Sequence, residues 1–445
     1  MTTTVALPGP PGSRLVGMAV DLRRDVLGTL LKHFNEYGDI VAYRLGPARP
    51  QALQRHAIAV HHPREIRRVF TQRDTFSRDT ASYRVLAELF GQNLVTSNGD
   101  DWLAQKRTLQ PLFARRSIEH QYTPIIEHEA ETTVEREGRG AGTIDVARAM
   151  ELYALRVLGY TLFKDEQGVD AETVDALERL VPVVGQQVRS RATQFVRVPL
   201  SVPTPGNRRF VATRKELYLV VDRFLAKQSS KSGDADQPDL LSQLRDAQDG
   251  DRPMFSPQDI RDQALIFLLS GHTTTSNALT STIYLLASNP DVQEEVAVAA
   301  AGEPEDGDLV RAAVEEGLRL HPPSYVIGRR LAADTELDGQ PISAGTNVLL
   351  SPWVTHRHPE FWDDPERFDP HRFTRPHDRP PYAYFPFGGG PRECIGRHFA
   401  LLEATIMVRA LLRRFRLEAV DHDVELNQLI SIRPAGPVKV TCRPR

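Results

Sequence analysis

The 445-residue chain has little cysteine: Cys394 and Cys442 are its two cysteines. Two thiols cannot supply a four-cysteine zinc or iron–sulfur site, and they argue against a disulfide framework. Free cysteines are among the most buried residue types, so packing is the ordinary expectation for each of them. One functional thiol is still compatible with this composition.

The sequence also lacks an excess of charge of either sign and a long uninterrupted apolar run. Its 55 basic and 58 acidic side chains leave a formal net charge of -3. This charge produces no overall electrostatic field that would attract nucleic acid or an anionic membrane. Residues 1–11 lack the pattern of a secretion signal, and charges interrupt the apolar run at 20–31. We therefore expect a cytoplasmic protein with no membrane anchor and no nucleic-acid partner.

The remaining composition is that of an ordinary globular protein, with 40% hydrophobic and 25% charged residues. A Pro/Gly-rich run makes residues 1–15 an extended arm. Short strands are predicted at 40–45 and 57–60, and helical spacing follows over 63–288. We interpret the polar stretch 229–238 as a loop between helices rather than a domain linker.

After Pro322 the pattern changes to short strands and turns, then to a proline-rich coil and one more helix. A turn is predicted at Asp338-Gly339. The strands and the helix are predicted at 326–331, 336–342, 347–350, 396–415 (the helix) and 417–441. We therefore expect residues 1–445 to form a single domain, mainly α with small β-sheets.

Residues 387–396 place Cys394 among glycines at the start of a predicted helix. Glycines allow a flat ligand to approach closely, while the helix N-terminus and Arg392 favour a thiolate. A thiolate is the form in which cysteine binds haem iron. The loop alone also fits a glycine-rich cap around a buried cysteine, or a phosphate-binding loop. The phosphate loop is disfavoured because no core strand precedes the segment and no Lys-Ser or Lys-Thr pair follows it.

A long helix is predicted from a capping box at Ser256 to the residue before Asn289-Pro290. Its middle, residues 270–277, consists largely of poor helix formers. Threonine can return hydrogen bonds to the preceding turn, so a bent structural helix is one interpretation. The other is a polar groove through which oxygen and water reach a reactive centre.

A shorter helix over residues 309–320 places Glu316 and Arg319 three residues apart on one face. Most pairs of this kind are solvated and contribute about a few tenths of a kcal/mol. The spacing alone therefore leaves a surface pair and a buried pair both open.

The cysteine loop resembles the signature Phe-x-x-Gly-x-Arg-x-Cys-x-Gly of the cytochrome P-450 family, through Phe387, Gly390, Arg392, Cys394 and Gly396. The resemblance extends along the chain, with the motifs in family order. It implies a haem-thiolate monooxygenase whose helices form a triangular prism. It also implies haem b (iron protoporphyrin IX) as cofactor, Cys394 as its axial thiolate ligand, and Phe387 packed beneath the ring.

The charged pair is similar to the family's Glu-x-x-Arg motif, and the Pro-Glu-Arg-Phe run at 365–368 resembles a later loop motif. By this resemblance, Glu316, Arg319 and Arg367 form a buried cluster. Such a cluster would fix the coil that leads to the cysteine loop. The implied role of the three residues is structural.

Haem propionates need cations, and arginine suits a carboxylate because its planar fork donates two hydrogen bonds. The resemblance assigns this role to Arg392, Arg329 and a Trp-x-x-x-Arg motif at Trp102. In that motif Lys106 replaces the family's arginine, and Arg107 is adjacent. An ordinary solvated surface charge is the alternative interpretation for each cation.

Residues 270–275 resemble the family's oxygen-activation motif, Ala-Gly-x-(Glu or Asp)-Thr-Thr. Aligned on Gly271, which would contact the cofactor, Thr274 takes the place of the threonine that assists protonation of dioxygen. Thr273 stands where the family has its acid. His272, with an ordinary pKa of about 6.5, either shares in this proton relay or points away into neighbouring helices. Thr274, Thr273 and His272 are the candidate catalytic residues.

The resemblance also implies a substrate pocket with mostly apolar walls, which favours a lipid-like, terpenoid or polyketide molecule. Its candidate residues are Phe267, Tyr325, Val326 and Ile327, with further walls at 83–90, 183–195 and 429–432. Dioxygen is the second substrate, and electrons are expected from a ferredoxin and an NAD(P)H-dependent reductase. The alternatives are a peroxide-using or substrate-rearranging haem-thiolate enzyme, and a non-catalytic haem-binding module.

Overall fold

The computed structural model describes residues 7–47, 55–138, 142–164, 171–194, 197–228, 239–249, 252–302 and 308–445. The loop predicted at 229–238, the first part of the predicted arm and Phe195 of a predicted pocket wall lie outside the described residues.

Helices dominate the described chain, as the sequence predicts. They are α1 Ala19–Arg24, α2 Val26–Tyr37, α3 Pro63–Thr71, α4 Ala81–Phe90, α5 Gly99–Leu109, α6 Arg115–Ser117, α7 Thr123–Gly138, α8 Val146–Leu162, α9 Ala171–Ala192, α10 Pro205–Gln228, α11 Leu240–Asp246, α12 Pro257–Ser288, α13 Pro290–Ala301, α14 Leu309–Leu320, α15 Pro352–Thr355 and α16 Arg397–Arg414. Within these ranges, no helix combines the length and the apolar character needed to cross a bilayer.

The strands are short and form small sheets. They are β1 Ile40–Leu45, β2 Arg55–Val60, β3 Phe76–Ser77, β4 Thr143–Asp145, β5 Gln248–Asp249, β6 Arg252–Pro253, β7 Ile327–Leu331, β8 Thr335–Leu337, β9 Gln340–Ile342, β10 Asn347–Leu350, β11 Phe415–Ala419, β12 Leu426–Gln428, β13 Ile432–Pro434 and β14 Lys439–Pro444. The stretch 63–288, predicted as helical, thus also contains β3 to β6.

The largest described sheet has the strand order β1-β2-β10-β7-β3, in which β10 runs parallel to β2. Beside it, β8 and β9 pair as a hairpin, because Asp338 and Gly339 take positive φ angles of 48° and 74°. The turn predicted at this dipeptide is confirmed. It divides the stretch 336–342 into two strands.

The described part of the N-terminal arm follows the edge of this sheet. Residues 7–12 have no regular secondary structure, and the carbonyl of Pro8 accepts a hydrogen bond from the backbone N–H of Ala42 at 2.8 Å. A Cβ atom on Gly9 would lie 2.1 Å from the carbonyl oxygen of Ala42. The arm therefore depends on glycine for its close contact with β1.

The long helix α12 has the predicted ends. Ser256 and Asp259 form a capping box: the N–H of Ser256 donates to the Asp259 carboxylate at 2.8 Å, and the N–H of Asp259 donates to the Ser256 hydroxyl at 3.2 Å. The helix ends at Ser288, before Asn289-Pro290. It packs along α8 and also contacts α10, α14 and α16, which places its middle inside the protein.

The hydroxyl-rich middle of α12 stays helical because its side chains bond within the helix. The hydroxyls of Ser270, Thr274 and Thr280 donate to carbonyls one turn earlier, at 2.6, 2.6 and 2.8 Å. Such bonds satisfy a hydroxyl inside a packed helix. A polar segment can therefore cross the apolar core.

A cysteine-lined cavity as the candidate active site

The cysteine loop is a tight turn that only glycine can form at its centre. The backbone N–H of Cys394 donates to the carbonyl of Phe387 at 3.0 Å. Gly388 and Gly390 take φ angles of 73° and 66°, in the left-handed region. A Cβ atom on Gly390 would lie 2.4 Å from the carbonyl oxygen of Phe70. Gly390 thus packs behind the loop and does not line the cavity described next.

The side chain of Cys394 opens onto a cavity of about 330 Å³ just before α16. Burial within the protein raises the pKa of the Cys394 thiol, although the backbone N–H of Gly396 and the charges of Arg78 and Arg397 lower it. The predicted effect of the helix end is therefore present but smaller than the effect of burial. A bound metal cation would supply the positive charge that makes such a thiol a thiolate.

The cavity brings together predicted residues from distant parts of the chain. Gly271 lets α12 approach α8, because a Cβ atom there would lie 2.9 Å from Cδ1 of Leu158. The lining residues predicted from the sequence are Trp102, Lys106, Phe267, Gly271, Thr274, Ile327, Arg329, Phe387, Arg392, Cys394 and Gly396.

Arginines that form no ion pair with a carboxylate among the described residues line this cavity. Burial, with the nearby charge of Arg78, lowers the pKa of Arg329 to about 10. Burial, with Arg78 and Arg329, lowers the pKa of Arg392 to about 9. Nη1 of Arg392 and Nε of Arg78 are buried without a hydrogen-bond partner in the described chain. An anionic group would satisfy these donors, so the arginines fit the carboxylates of a haem.

Trp102 contacts two of the cations that line this cavity. The guanidinium carbon of Arg392 lies 3.8 Å from the Trp102 ring centroid, and Nζ of Lys106 lies 5.4 Å from it. Nζ of Lys106 also donates to the carbonyl of Pro391 at 2.7 Å. The sequence predicts Arg107 as a cofactor contact, but it is exposed and does not line the cavity. Successive helix residues point about 100° apart, so Lys106 and Arg107 cannot share one face.

Arg78 and Tyr83 lie beside these arginines; the sequence does not indicate Arg78, and it indicates Tyr83 only as the first residue of a predicted pocket wall. Nη2 of Arg78 donates to the carbonyl of Arg392 at 3.1 Å, and its guanidinium carbon lies 5.2 Å from the Tyr83 ring centroid. Burial alone would raise the pKa of Tyr83, but Arg78, Arg329 and Arg392 outweigh it and lower the pKa. No local sequence pattern marks Arg78, because the strand before it, β3, is only two residues long.

A second cavity of about 620 Å³ adjoins the first. Tyr325 and Val326 line it as predicted, and the Tyr325 hydroxyl donates to the carbonyl of Leu429 at 2.6 Å. Residues from each predicted wall, 83–90, 183–195 and 429–432, also line it.

Phe267 and Ile327, predicted to contact substrate, line the cysteine cavity instead. Phe267 stacks on Phe113, with ring centroids 5.7 Å apart and an interplanar angle of 11°. Of the four residues predicted to contact substrate, two thus line the second cavity and two line the cysteine cavity.

Thr274 lies where the two cavities meet, and its hydroxyl donates to the carbonyl of Ser270. Thr273 lines the second cavity. His272 is buried and lines neither cavity, so it points into neighbouring helices. Burial, with the charge of Arg433, lowers the pKa of His272 to about 4. Of the two placements considered for His272, the structure therefore has the one that points away from the cavities, and Nδ1 lies 3.4 Å from the Thr273 hydroxyl.

The Glu316–Arg319 pair is fully buried. Nε and Nη2 of Arg319 donate to the two carboxylate oxygens of Glu316 at 2.6 and 2.8 Å. The same guanidinium donates to the carbonyls of His356, Pro365 and Arg367 at 2.9, 2.6 and 3.0 Å. The pair therefore holds the coil that leads to the cysteine loop.

Arg367 is predicted as the third member of this cluster, but its side chain is exposed and only its carbonyl takes part. Arg372 replaces it, with Nε 3.4 Å from Oε1 of Glu316 and 11% of its side chain exposed. The short helix Pro370–Phe373 carries Arg372 against α14. A second Pro-x-Arg-Phe run at 370–373 is the sequence signal for this residue.

Comparison with known proteins agrees with this arrangement. Residues 7–441 match the family model of cytochrome P-450. Cyclooctat-9-en-7-ol 5-monooxygenase of Streptomyces melanosporofaciens is 31% identical over 98% of this chain and 95% of its own. Pentalenene oxygenase of Streptomyces avermitilis is 28% identical over 95% and 94% of the two chains. A six-coordinated cytochrome P-450 from Thermus thermophilus superposes with a TM-score of 0.73 at 26% identity, covering 94% of this chain and 98% of that chain.

The chain belongs to the cytochrome P-450 family and has its mainly helical fold with small sheets. It is an oxidoreductase of the monooxygenase type. Membership implies a haem whose iron is ligated by a cysteine thiolate.

Proposed function

We propose that this protein is a cytoplasmic, single-domain monooxygenase that carries haem b and inserts one oxygen atom of dioxygen into an apolar terpenoid. One observation carries the proposal: Cys394 opens onto a cavity whose arginines have buried donors that lack a partner among the described residues. A sulfur ligand and cations for two carboxylates thus face one space. This is the donor set that a haem requires.

Within this proposal, different residues around the cavity bind different parts of the cofactor. Cys394 ligates the iron, while Arg78, Arg329 and Arg392 bind the carboxylates, supported by Lys106. When bound, haem supplies the activation of dioxygen, which side chains alone do not provide. The apolar lining excludes bulk water, which strengthens each of these electrostatic contacts.

Thr274 is proposed to hold and pass a proton at the junction of the two cavities. Its hydroxyl donates to the carbonyl of Ser270 and can turn to a water molecule in the cavity. Thr273 has a hydroxyl where relatives have a carboxylate, and a hydroxyl cannot store negative charge near neutral pH. Proton delivery therefore relies on Thr274 and ordered water, with Thr273 in a secondary role.

The second cavity is proposed as the substrate site because it ends at Thr274 and is mostly apolar. Its volume of about 620 Å³ lies within the range of small-molecule sites. Relatives whose names give pentalenene and cyclooctat-9-en-7-ol as substrates support an apolar terpenoid class for this chain.

Electrons are proposed to come from an acidic ferredoxin and an NAD(P)H-dependent reductase. Arg107 and Arg116 are exposed on and after α5, and Lys106 of α5 contacts the cysteine loop. Basic surface charges of this kind speed the encounter with an acidic partner. Arg107 thereby gains a role that does not involve the cofactor.

The test supplies the purified protein with a ferredoxin, its reductase, NAD(P)H and isotopically labelled dioxygen, using terpenoid hydrocarbons and alcohols as substrates. The expected product contains one labelled oxygen atom, and its formation requires NAD(P)H. A parallel reaction uses hydrogen peroxide without reductant, because Thr273 in the acid position also suits a peroxide-using enzyme. Product from peroxide but not from NAD(P)H would contradict the proposed monooxygenase.

A further inference from the structure

The second cavity contains several cations and, among the residues the structure describes, no acid. Arg23, Arg189, Arg329 and Arg433 line it, and its other walls are mostly apolar. A guanidinium that faces an apolar space without a counter-charge loses hydration and gains nothing in return. The excess positive charge is therefore unsuited to a purely hydrocarbon ligand.

Two of these arginines have other neighbours that account for them. Nη2 of Arg433 lies 3.7 Å from Oε1 of Glu151, which offsets its charge. Arg329 also lines the cysteine cavity beside Tyr83 and belongs to the proposed haem site. Arg23 is exposed, so water hydrates its charge, and Arg189 is the part-buried charge that stays without an explanation.

Arg189 is held in place by a neutral acceptor. Its Nη1 donates to the carbonyl of Gln428 at 3.1 Å, and the described chain places no carboxylate in an ion pair with it. Gln428 is itself fixed, because its Oε1 accepts from the N–H of Val26 at 2.8 Å and its Nε2 donates to Asp25 at 2.8 Å. The guanidinium is thus positioned on α9 beside the β12–β13 hairpin.

We infer that the substrate carries one anionic group, a carboxylate or a phosphate, which binds Arg189, with Arg23 adding attraction at the same cavity. The apolar body of the substrate then fills the cavity as far as Thr274. This inference rests on the proposed function, since it assigns a chemical class to the substrate of that site. It differs from the proposed class by requiring a charged group.

The test measures binding by isothermal titration calorimetry with three probes that share one isoprenoid chain: farnesol, farnesoic acid and farnesyl monophosphate. At least one anion should bind about tenfold more tightly than farnesol, as one additional charge-assisted hydrogen-bonded contact implies. The two anions distinguish a carboxylate site from a phosphate site. Added salt should weaken the preference for the anion and leave farnesol unaffected.

Variants locate the preference at Arg189. Arg189→Gln should remove it, and Arg189→Lys should retain part of it by keeping the charge. Arg179→Gln is the matched control: Arg179 lies on the same helix, is exposed, pairs with Glu216 at 2.6 Å and does not line the cavity. Arg23→Gln should reduce mainly the salt dependence. Thermal melting of each variant checks that the fold is intact.

Equal affinity of the three probes, failure of both anions to bind, or an unchanged anion preference in Arg189→Gln would each overturn the inference. The proposed function is judged separately by the labelled-dioxygen reaction. Oxygenation of farnesol without any preference for anions would contradict only the inferred anionic group of the substrate. Anion binding through Arg189 without reductant-dependent oxygenation would contradict only the proposed monooxygenase function.

Discussion

The two cysteines of this chain differ in what surrounds them. Cys394 ends a glycine loop and faces a cavity, whereas Cys442 is 4% exposed on β14, opposite Leu417 of β11. Burial, reinforced by Glu137, raises the pKa of Cys442 to about 11. Cys442 is therefore a packing residue, and Cys394 is the thiol available to a ligand.

Cys394→Ser should preserve the shape of the loop while removing its sulfur. The reduced carbon monoxide complex should then lose the far-red-shifted Soret band that thiolate ligation produces, as recorded by absorption spectroscopy. Cys442→Ser is the matched control and should keep the band. Persistence of the band in Cys394→Ser would show that another residue ligates the iron.

Thr274→Ala should bind haem normally but divert reducing equivalents to hydrogen peroxide, because the cavity loses the hydroxyl that delivers a proton. We expect the ratio of peroxide released to NAD(P)H consumed to rise severalfold. Thr273→Ala should change this ratio less, since Thr273 lines only the second cavity. Equal coupling in Thr274→Ala and the parent would contradict the proton-transfer role.

At the scale of single residues, motifs with fixed spacing could be predicted from the sequence. Contacts between residues that are distant in the sequence could not. The signature around Cys394 is local, so the sequence indicates its neighbours directly. Arg78 reaches the same cavity from the segment after β3, and no local pattern marks it. The side on which His272 lies depends on how α12 packs, which helical periodicity within a hydroxyl-rich segment does not determine.

At the scale of elements, the carboxylate of Glu316 connects α14 to the coil before the cysteine loop. It accepts from both Arg319 nitrogens and from the backbone N–H of Asp369 at 2.9 Å, with Arg372 adjacent. A buried carboxylate requires such compensation, and loss of a partner is costly. The coil is therefore positioned by buried polar contacts as well as by apolar packing.

Arg372→Ala should destabilise the protein by about 1–3 kcal/mol, because it removes a cation from a buried carboxylate. Arg367→Ala removes an exposed side chain whose carbonyl is retained, so its effect should stay within about 0.5 kcal/mol. Urea unfolding of the two variants, together with haem content, measures the difference. A larger loss of stability in Arg367→Ala than in Arg372→Ala would support the cluster of Glu316, Arg319 and Arg367 predicted from the sequence.

Helix ends were predictable because capping is local chemistry. Ser256 and Asp259 form the capping box of α12, and the Asp308 side chain accepts from the N–H of Val310 to cap α14, as their sequence spacing indicates. The choice between Arg367 and Arg372 was not predictable in this way. Two similar runs follow each other, and only packing of the second against α14 decides between them.

At the scale of the whole molecule, several histidines are buried in their neutral form. Burial lowers the pKa of His61 and of His321 to about 3, and the pKa of His356 falls well below its ordinary value for the same reason. Each binds its proton near pH 6.5 when unfolded. Buried Glu403 has the opposite influence on the pH dependence of stability, because burial raises its pKa.

The free energy of unfolding should fall as the pH drops below about 6.5, because the histidines then bind protons in the unfolded state but not in the folded state. Each such histidine contributes a slope of up to about 1.4 kcal/mol per pH unit. His61→Gln should make the decline shallower, since both ring nitrogens of His61 are buried without a partner in the described chain.

Urea unfolding between about pH 5 and pH 7.5 measures this slope. Exposed His422 offers the control, and His422→Gln should leave the slope unchanged. A slope that is the same in the parent and in His61→Gln would show that His61 does not couple folding to protonation.

The parallel pairing of β2 with β10 has a consequence for the order of folding. It joins Ala57 to Asn347, and β7, which carries Arg329, pairs with β10 in the same sheet. Contacts between residues so far apart in the sequence form late. Closing the long loop between them costs chain entropy before the contacts stabilise the fold. Helices assembled from nearby residues come first, and the wall that holds Arg329 is completed only when the sheet closes. We therefore expect the cofactor to bind to a chain that is already compact.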